Sequence, residues 1–348
     1  MTDASAKADM EACTEAIRHG SLSFHAASKL LPARVRDPAL ALYAFCRLAD
    51  DAVDLQREKA AAVLDLQDRL DLVYAGRPRD AAADRAFTRV VETYAMPRAL
   101  PDALLEGLAW DAEERRCPTL SDVFSYSARV AAAVGAMMTV LMGERRHEVL
   151  ARACDLGVAM QLTNIARDIG EDALEGRLYL PLDWLDEAGI DPDEFLANPR
   201  PTKAIRNMTK RLVMQANRLY YRSEPGIASL PIACRPGIYA ARLIYAGIGK
   251  EVTAAGYDSI SSRARTSKAA KIGWLAQSAV QAAGTVITPR AATLYADPLP
   301  ECAFLVEAAA EGAMPRGRSD ALIGALAALK TQDEARRRAL MDRHVRTS

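Results

Sequence analysis

Tyr43, Arg47, Asp50 and Asp54 follow one another at spacings of four, three and four, and Gln161, Asn164, Asp168 and Asp172 at three, four and four. At 3.6 residues per turn, each set falls on one face of a helix. Carboxylates one turn apart can offer oxygen to a hydrated Mg²⁺, an ion that takes octahedral oxygen ligands and often shares them with substrate phosphates. The guanidinium groups of Arg47 and Arg167 suit bidentate contact with phosphate oxygens. Each set alone has a plainer reading: a solvated acidic face, or an arginine bridged to the aspartate beside it. The second set, however, sits among apolar neighbours from Met160 to Ile169. A buried row of amide and carboxylate needs partners. Two such rows facing each other across a helical bundle, with cations between them, would hold a polyanion.

The elements that must position these rows read as helices. Asp37-Pro38 resembles an N-cap followed by proline in the first turn, opening a helix that runs through Asp54. "LPDALLEGLAWDAEERR" is helical up to Cys117-Pro118, and "TLSDVFSYSARVAAAVGAMMTVLM" opens on a capping cluster and stays apolar to Gly143. A long helix is expected over 146–171, with others near 202–221, 235–256, 267–287 and 319–343. No alternation typical of strands and no hairpin signal appears. With no repeat and no Gly/Ser linker, the expectation is one all-α domain over residues 1–348. "AGIGKEV" at 246–252 imitates a P-loop ending, but the glycine five residues before Gly249 is missing and Glu251 stands where Ser or Thr would hold Mg²⁺.

Composition excludes several classes. The formal net charge is zero, so no basic excess invites a nucleic acid. Six scattered cysteines with no C-x-x-C pair and only four histidines argue against zinc. The thiols read as buried residues in a reducing, cytoplasmic setting, and the first residues lack the basic-then-apolar pattern of a signal peptide. "VAAAVGAMMTVLMG" at 130–143 is too short to span a bilayer and reads as a core helix.

Three stretches carry a family resemblance over roughly residues 14–290. "GSLSFHAASKLLPARVRDPALALYAFCRLADDAVD" resembles the S-x-S-F segment and first aspartate motif of the squalene/phytoene synthases, the head-to-head trans-isoprenyl diphosphate synthases. "YSARVAAAVG" is similar to their Y-x-x-x-V-A-G-x-V-G helix, with Ala132 at the glycine of V-A-G, and "QLTNIARDIGEDALEGRLYLP" to their second aspartate motif. Among members of the family, the bacterial phytoene synthases of carotenoid biosynthesis are the most similar. The resemblance implies an isoprenoid-synthase-like helical bundle around a central apolar cavity. It also implies a prenyltransferase that condenses two geranylgeranyl diphosphates through prephytoene diphosphate to phytoene. It further implies Mg²⁺, with Mn²⁺ as a substitute, held by Asp50, Asp54, Asn164, Asp168 and Asp172, and no NADPH. Ser21, Ser23, Arg47, Tyr126, Arg167, Tyr245 and Arg263 (or Arg265, since the local match is ambiguous) correspond to positions near the diphosphates. Tyr126 would orient the released diphosphate, and Phe24, Tyr43 and Gln161 complete the substrate set.

A long apolar chain needs room. Ala131, Ala132, Val134, Gly135 and Ala136 are expected to line its tunnel, or else to serve close helix packing, and the extra methyl of Ala132 to narrow the passage. Ser28 and Leu40, both modest in size, are expected to let the tunnel run long, so that Ser28→Phe or Leu40→Trp would favour farnesyl diphosphate. The nearest alternative is a C30 synthase using farnesyl diphosphate; more distant are a head-to-tail synthase or cyclase and a non-catalytic helical assembly factor. A very apolar product implies peripheral contact with the inner membrane, and downstream carotenoid enzymes as further partners.

Overall fold

The computed structural model describes residues 3–20, 27–55, 59–287 and 291–311, with side chains given for 5–15, 27–48, 62–287 and 291–311. The described residues belong to one compact unit, Met1–Glu311, and contain helices and no strand. Its helices are α1 (Asp3–Gly20), α2 (Ala33–Leu55), α3 (Lys59–Tyr74), α4 (Ala82–Tyr94), α5 (Ala99–Ala112) and α6 (Leu120–Leu141, interrupted by a π turn at Ala128–Ala132). They continue as α7 (His147–Leu174), α8 (Leu182–Glu187), α9 (Pro192–Ala197), α10 (Lys203–Ile227), α11 (Arg235–Ala254), α12 (Lys268–Gly284) and α13 (Ala303–Ala310). The helix expected near 319–343 lies outside the described residues.

Helix starts follow local chemistry. Thr119 and Asp122 form a reciprocal capping box at α6, and Thr202 and Ser267 cap α10 and α12 through their hydroxyls. The expected start at Asp37-Pro38 is corrected. Helix α2 begins a turn earlier, where the Val35 and Arg36 amides bond the Pro32 carbonyl, and Pro38 sits inside it. Proline has no amide to offer the carbonyl four residues back. The Tyr94 hydroxyl donates to that carbonyl, at Arg34, at 2.9 Å, so the helix passes through the proline with the orphan acceptor satisfied. Pro225 likewise lies inside α10, which extends past the expected end.

Helix α7 is the axis of the unit. It packs against α6, α10, α11 and α13, and its buried face includes Leu150, Ala151, Val158, Ala159, Leu162 and Ala166. Its approach to α6 requires a residue without a side chain: a Cβ on Gly157 would lie 2.5 Å from the Ala132 Cα. Among the described residues, only Leu120–Leu141 is long and apolar enough to cross a membrane, and 61% of an apolar 18-residue portion of it is buried inside the fold.

Candidate active site

Between α2, α6, α7, α10 and α11 lies a cavity of about 330 Å³, within the range of small-molecule sites. Its walls are mainly apolar: Ala39 and Leu42 from α2, Val130, Ala131 and Val134 from α6, Leu156 and Met160 from α7, Ile238 and Ala241 from α11. Its polar lining comprises Tyr43, Gln161, Asn164 and Tyr245, with Arg152 near the start of α7 and Thr139 on α6. Along α7 the lining runs from Val149 to Asn164, about 22 Å at 1.5 Å per residue. The π turn in α6 presents Val130 and Ala131 to the cavity while Ala128 and Ala132 stay fully buried.

Three expectations about the tunnel need correction. Ala132 and Ala136 do not line it; they are buried in helix packing, and Ala132 meets α7 at Gly157. The methyl of Ala132 therefore does not narrow the passage. Leu40 and Ser28 are buried but absent from the lining, because the α2 face toward the cavity is 39, 42, 43 and 46, and Leu40 points a different way around the helix.

Beyond Asn164, α7 carries its polar row out of the cavity. The Asn164 amide donates to Gln161 Oε1 at 3.4 Å. Arg167 Nε donates to Asp168 Oδ1 at 2.6 Å, and Arg263 reaches both oxygens of the same carboxylate at 2.9 and 3.1 Å and Glu171 at 3.1 Å. Between Arg263 and Arg265, then, it is Arg263 that the structure brings to the row. The loop bearing it is pinned at Gly170, whose amide donates to the Ser259 carbonyl at 3.0 Å; a Cβ there would come within 2.8 Å of Ile260. Asp258 braces the same loop by accepting from the amides of Ile260 and Ser261 and from Arg206. Burial raises the Tyr245 hydroxyl pKa, with nearby Arg167 opposing and Asp168 adding to the rise.

Asp172 differs from Asp168. Its carboxyl is half-buried and pushed up to about 8, by burial first and then by Asp168, with Arg177 opposing and Glu175 and Asp111 adding. Asp111 belongs to a cluster that sequence reasoning missed. The Tyr126 and Tyr179 hydroxyls each donate to one of its oxygens, at 2.9 and 2.7 Å, and their rings stack at 4.9 Å. Burial raises the Tyr126 pKa well above its ordinary value, and the Asp111 charge adds to this. Tyr126 thus reaches the acidic row through a carboxylate rather than as an isolated phenol. A signal existed: Leu104, Leu108 and Asp111 share one face of α5, and the two leucines are buried, so an acid ends an apolar stripe.

The structure therefore brings Tyr43, Gln161, Asn164, Arg167, Asp168, Tyr245 and Arg263 to one end of the cavity, with Asp172 one turn further along α7. Arg47 lies half-buried one turn beyond Tyr43 on α2. Asp50 and Asp54 lie on α2, but their side chains, like Ser21, Ser23 and Phe24, are outside the described residues. Among the described residues, no three His, Cys, Asp or Glu side chains converge as a metal-binding group. The donor set of Asn164, Asp168 and Asp172 nevertheless fits a hard divalent cation. It is all oxygen, and Asp172 carries the like-charge crowding that such a cation relieves.

Residues 17–270 match the family model for squalene/phytoene synthase. The chain is 62% identical over 338 residues to a phytoene synthase of Cereibacter sphaeroides, covering 94% of this chain and 95% of the relative. It is 61% identical over 331 residues to one of Rhodobacter capsulatus, covering 94% and 98%. It is 44% identical over 271 residues to a 15-cis-phytoene synthase of a Paracoccus species, covering 75% and 88%. Among solved structures, a dehydrosqualene synthase in complex with a ligand superimposes with a TM-score of 0.74 at 29% identity, covering 80% of this chain and 98% of that one.

Proposed function

The chain belongs to the squalene/phytoene synthase family, and from that premise we propose that it makes phytoene by joining two geranylgeranyl diphosphates head to head. One diphosphate leaves, and the allylic carbon is attacked by the double bond of the second molecule. A proton is lost as the cyclopropane of prephytoene diphosphate closes. Departure of the second diphosphate, rearrangement and a further proton loss give the hydrocarbon. The observation that supports this most is the continuity of an apolar cavity with a polar row on one helix face, Gln161 and Asn164 in the lining and Asp168 and Asp172 beyond it.

Asn164, Asp168 and Asp172 would hold Mg²⁺ together with Asp50 and Asp54, which helical spacing carries along the Tyr43 face of α2. When bound, the metal would supply Lewis-acid stabilisation of charge on the leaving diphosphate. Arg263 and Arg167, which both bond Asp168, would hand their guanidinium donors to phosphate oxygens. Tyr245 bounds the cavity beside them, and Ser21, Ser23 and Arg47 are assigned to the diphosphates by family correspondence. The apolar walls keep water from cationic intermediates and reward the prenyl chain by about 0.8 kcal/mol per buried CH₂. Because the product is a pure hydrocarbon, peripheral contact with a membrane follows as part of the same reading, with downstream carotenoid enzymes as recipients.

Purified protein incubated with C15 or C20 diphosphate and Mg²⁺, with and without NADPH, tests this by chromatography of the extracted hydrocarbon. Phytoene from the C20 substrate without NADPH is expected. A C30 product from farnesyl diphosphate in preference to phytoene would replace the proposal with its C30 alternative, and no diphosphate release from either substrate would favour a non-catalytic role.

A further inference from the structure

Helix α12 shows solvent a face with no charge on it. Ala269, Ile272, Ala276, Val280 and Ala283 recur at spacings of three and four and are all exposed, Ile272 at 67% and Val280 at 73%. The stripe continues into Val286 and Ile287, exposed at 62% and 87%. The opposite side is anchored: Trp274 packs so closely on α11 that a Cβ at Gly247 would lie 2.1 Å from its ring. From Ile272 to Ile287 the sequence has no charged residue, and from Ser259 to Ile287 it has four basic residues and no acidic one. Arg265 and Lys268 are exposed at the start of this helix, with Lys271 one turn in. In a chain of zero net charge, this is a local basic excess at one end of an apolar face.

The other end of the helix, where Val286 and Ile287 follow, meets the end of the cavity lined by Leu230. Arg235, at the start of α11, donates to the Leu230 carbonyl at 2.8 Å and to the Thr285 hydroxyl at 2.9 Å. Leu230 and Ile238, a turn into α11, line the cavity, and Ile232 is 61% exposed beside them in sequence.

We propose that the outer face of α12, with Val286 and Ile287, seats this protein on the surface of an anionic lipid bilayer. The inference deepens the membrane contact proposed above, by naming the face, and rests on it. A helix in this role lays short aliphatic side chains into the headgroup boundary while basic residues meet anionic lipid. The chemistry favours lipid over a protein partner, because the stripe carries no aromatic anchor and no charge with which to select one. It also places the Leu230 end of the cavity near the phase that a hydrocarbon product prefers.

Co-sedimentation of the full chain with vesicles of phosphatidylcholine, with or without phosphatidylglycerol, is the test. The wild type should bind the phosphatidylglycerol vesicles about tenfold more tightly. Ile272→Glu with Val280→Glu should lose about tenfold of that binding, and Lys268→Glu with Lys271→Glu should lose the lipid preference. Circular dichroism checks that each variant folds; all four positions are at the surface or half-buried. Phytoene formation in detergent micelles should persist in both variants, so its loss from the wild type would strike the proposed function and not the face. Unchanged vesicle binding by the Glu pair would overturn the inference. So would a wild type that ignores vesicles but dimerises in sedimentation velocity, with the Glu pair monomeric, for the face would then belong to a second copy of the chain.

Discussion

The two halves of α7 each hold an acid whose pKa burial raises, Asp155 and Asp172, but the fold partners them differently. In the N-terminal half, Asp155 is fully buried, and one of its oxygens meets Arg152 at 2.6 Å and Arg222 at 2.9 Å. Arg152 in turn donates to the carbonyls of Thr293, Leu294, Ala296 and Asp297. That acid brings its own cations and straps the 293–297 segment to the helix. In the C-terminal half, Asp172 faces one arginine and three acids, and its carboxyl is pushed up to about 8. A structural acid is neutralised within the fold. An acid that remains crowded by like charge is fitted to receive a cation from solution.

The comparison breaks first at Asp172. Asp172→Asn should cost about a thousandfold in phytoene formation, ~4 kcal/mol of transition-state stabilisation, without lowering the melting temperature, since it removes a carboxyl that burial disfavours. Steady-state kinetics and calorimetry check the two halves of that statement. Asp155→Ala should do the reverse. Leaving Arg152 buried without its carboxylate should cost about 3 kcal/mol of stability, read by urea unfolding, while activity per folded molecule is largely kept at low temperature.

The pH dependence sharpens the contrast. With its pKa pushed up to about 8, Asp172 holds its proton in the folded protein where an unfolded chain has already released it, near 3.8. The folded state therefore binds more protons across that window, so this group lowers stability as pH rises through it, by at most about 1.4 kcal/mol per pH unit. Mg²⁺ should raise the melting temperature more at pH 8 than at pH 6, and Asp172→Asn should flatten that difference. A smaller effect is expected at Arg263, where lysine keeps the charge but loses the fork held on Asp168. Arg263→Lys should lower kcat/KM about tenfold, ~1.4 kcal/mol. The smallest is Ala132→Gly, which should cost about 1 kcal/mol of stability and leave the C20 to C15 preference unchanged. Val134→Phe, inside the lining, should shift that preference toward farnesyl diphosphate.

Helical periodicity made much of this legible beforehand. The spacing of Gln161, Asn164, Asp168 and Asp172 put one row on one face, and Ala131, Val134 and Gly135 do line the cavity. Periodicity says less about which side of a helix meets a neighbour, so it leaves Ala132 and Ala136 open between tunnel and helix packing, and the fold buries both in packing. Local sequence marks Asp37-Pro38 as the start of α2, but the Arg34 carbonyl that Pro38 leaves without an amide is satisfied by Tyr94, sixty residues away, so the helix runs through the proline. Asp111 is harder to read for a similar reason: its partners Tyr126 and Tyr179 are brought to it only by the fold. The Arg152–Asp155 pair is adjacent on one helix, but its strap to residues 293–297 has no signature in local spacing.

In the proposed function, the acidic rows of α2 and α7 hold divalent cations jointly around diphosphate. Metal-stripped protein titrated with Mn²⁺ in the presence of inorganic diphosphate, followed by electron paramagnetic resonance, addresses it directly. Tight Mn²⁺ binding that needs diphosphate, and that is lost in both Asp54→Asn and Asp172→Asn, is the expected result. Binding that survives either substitution at full stoichiometry and affinity would contradict a site shared between the two helices.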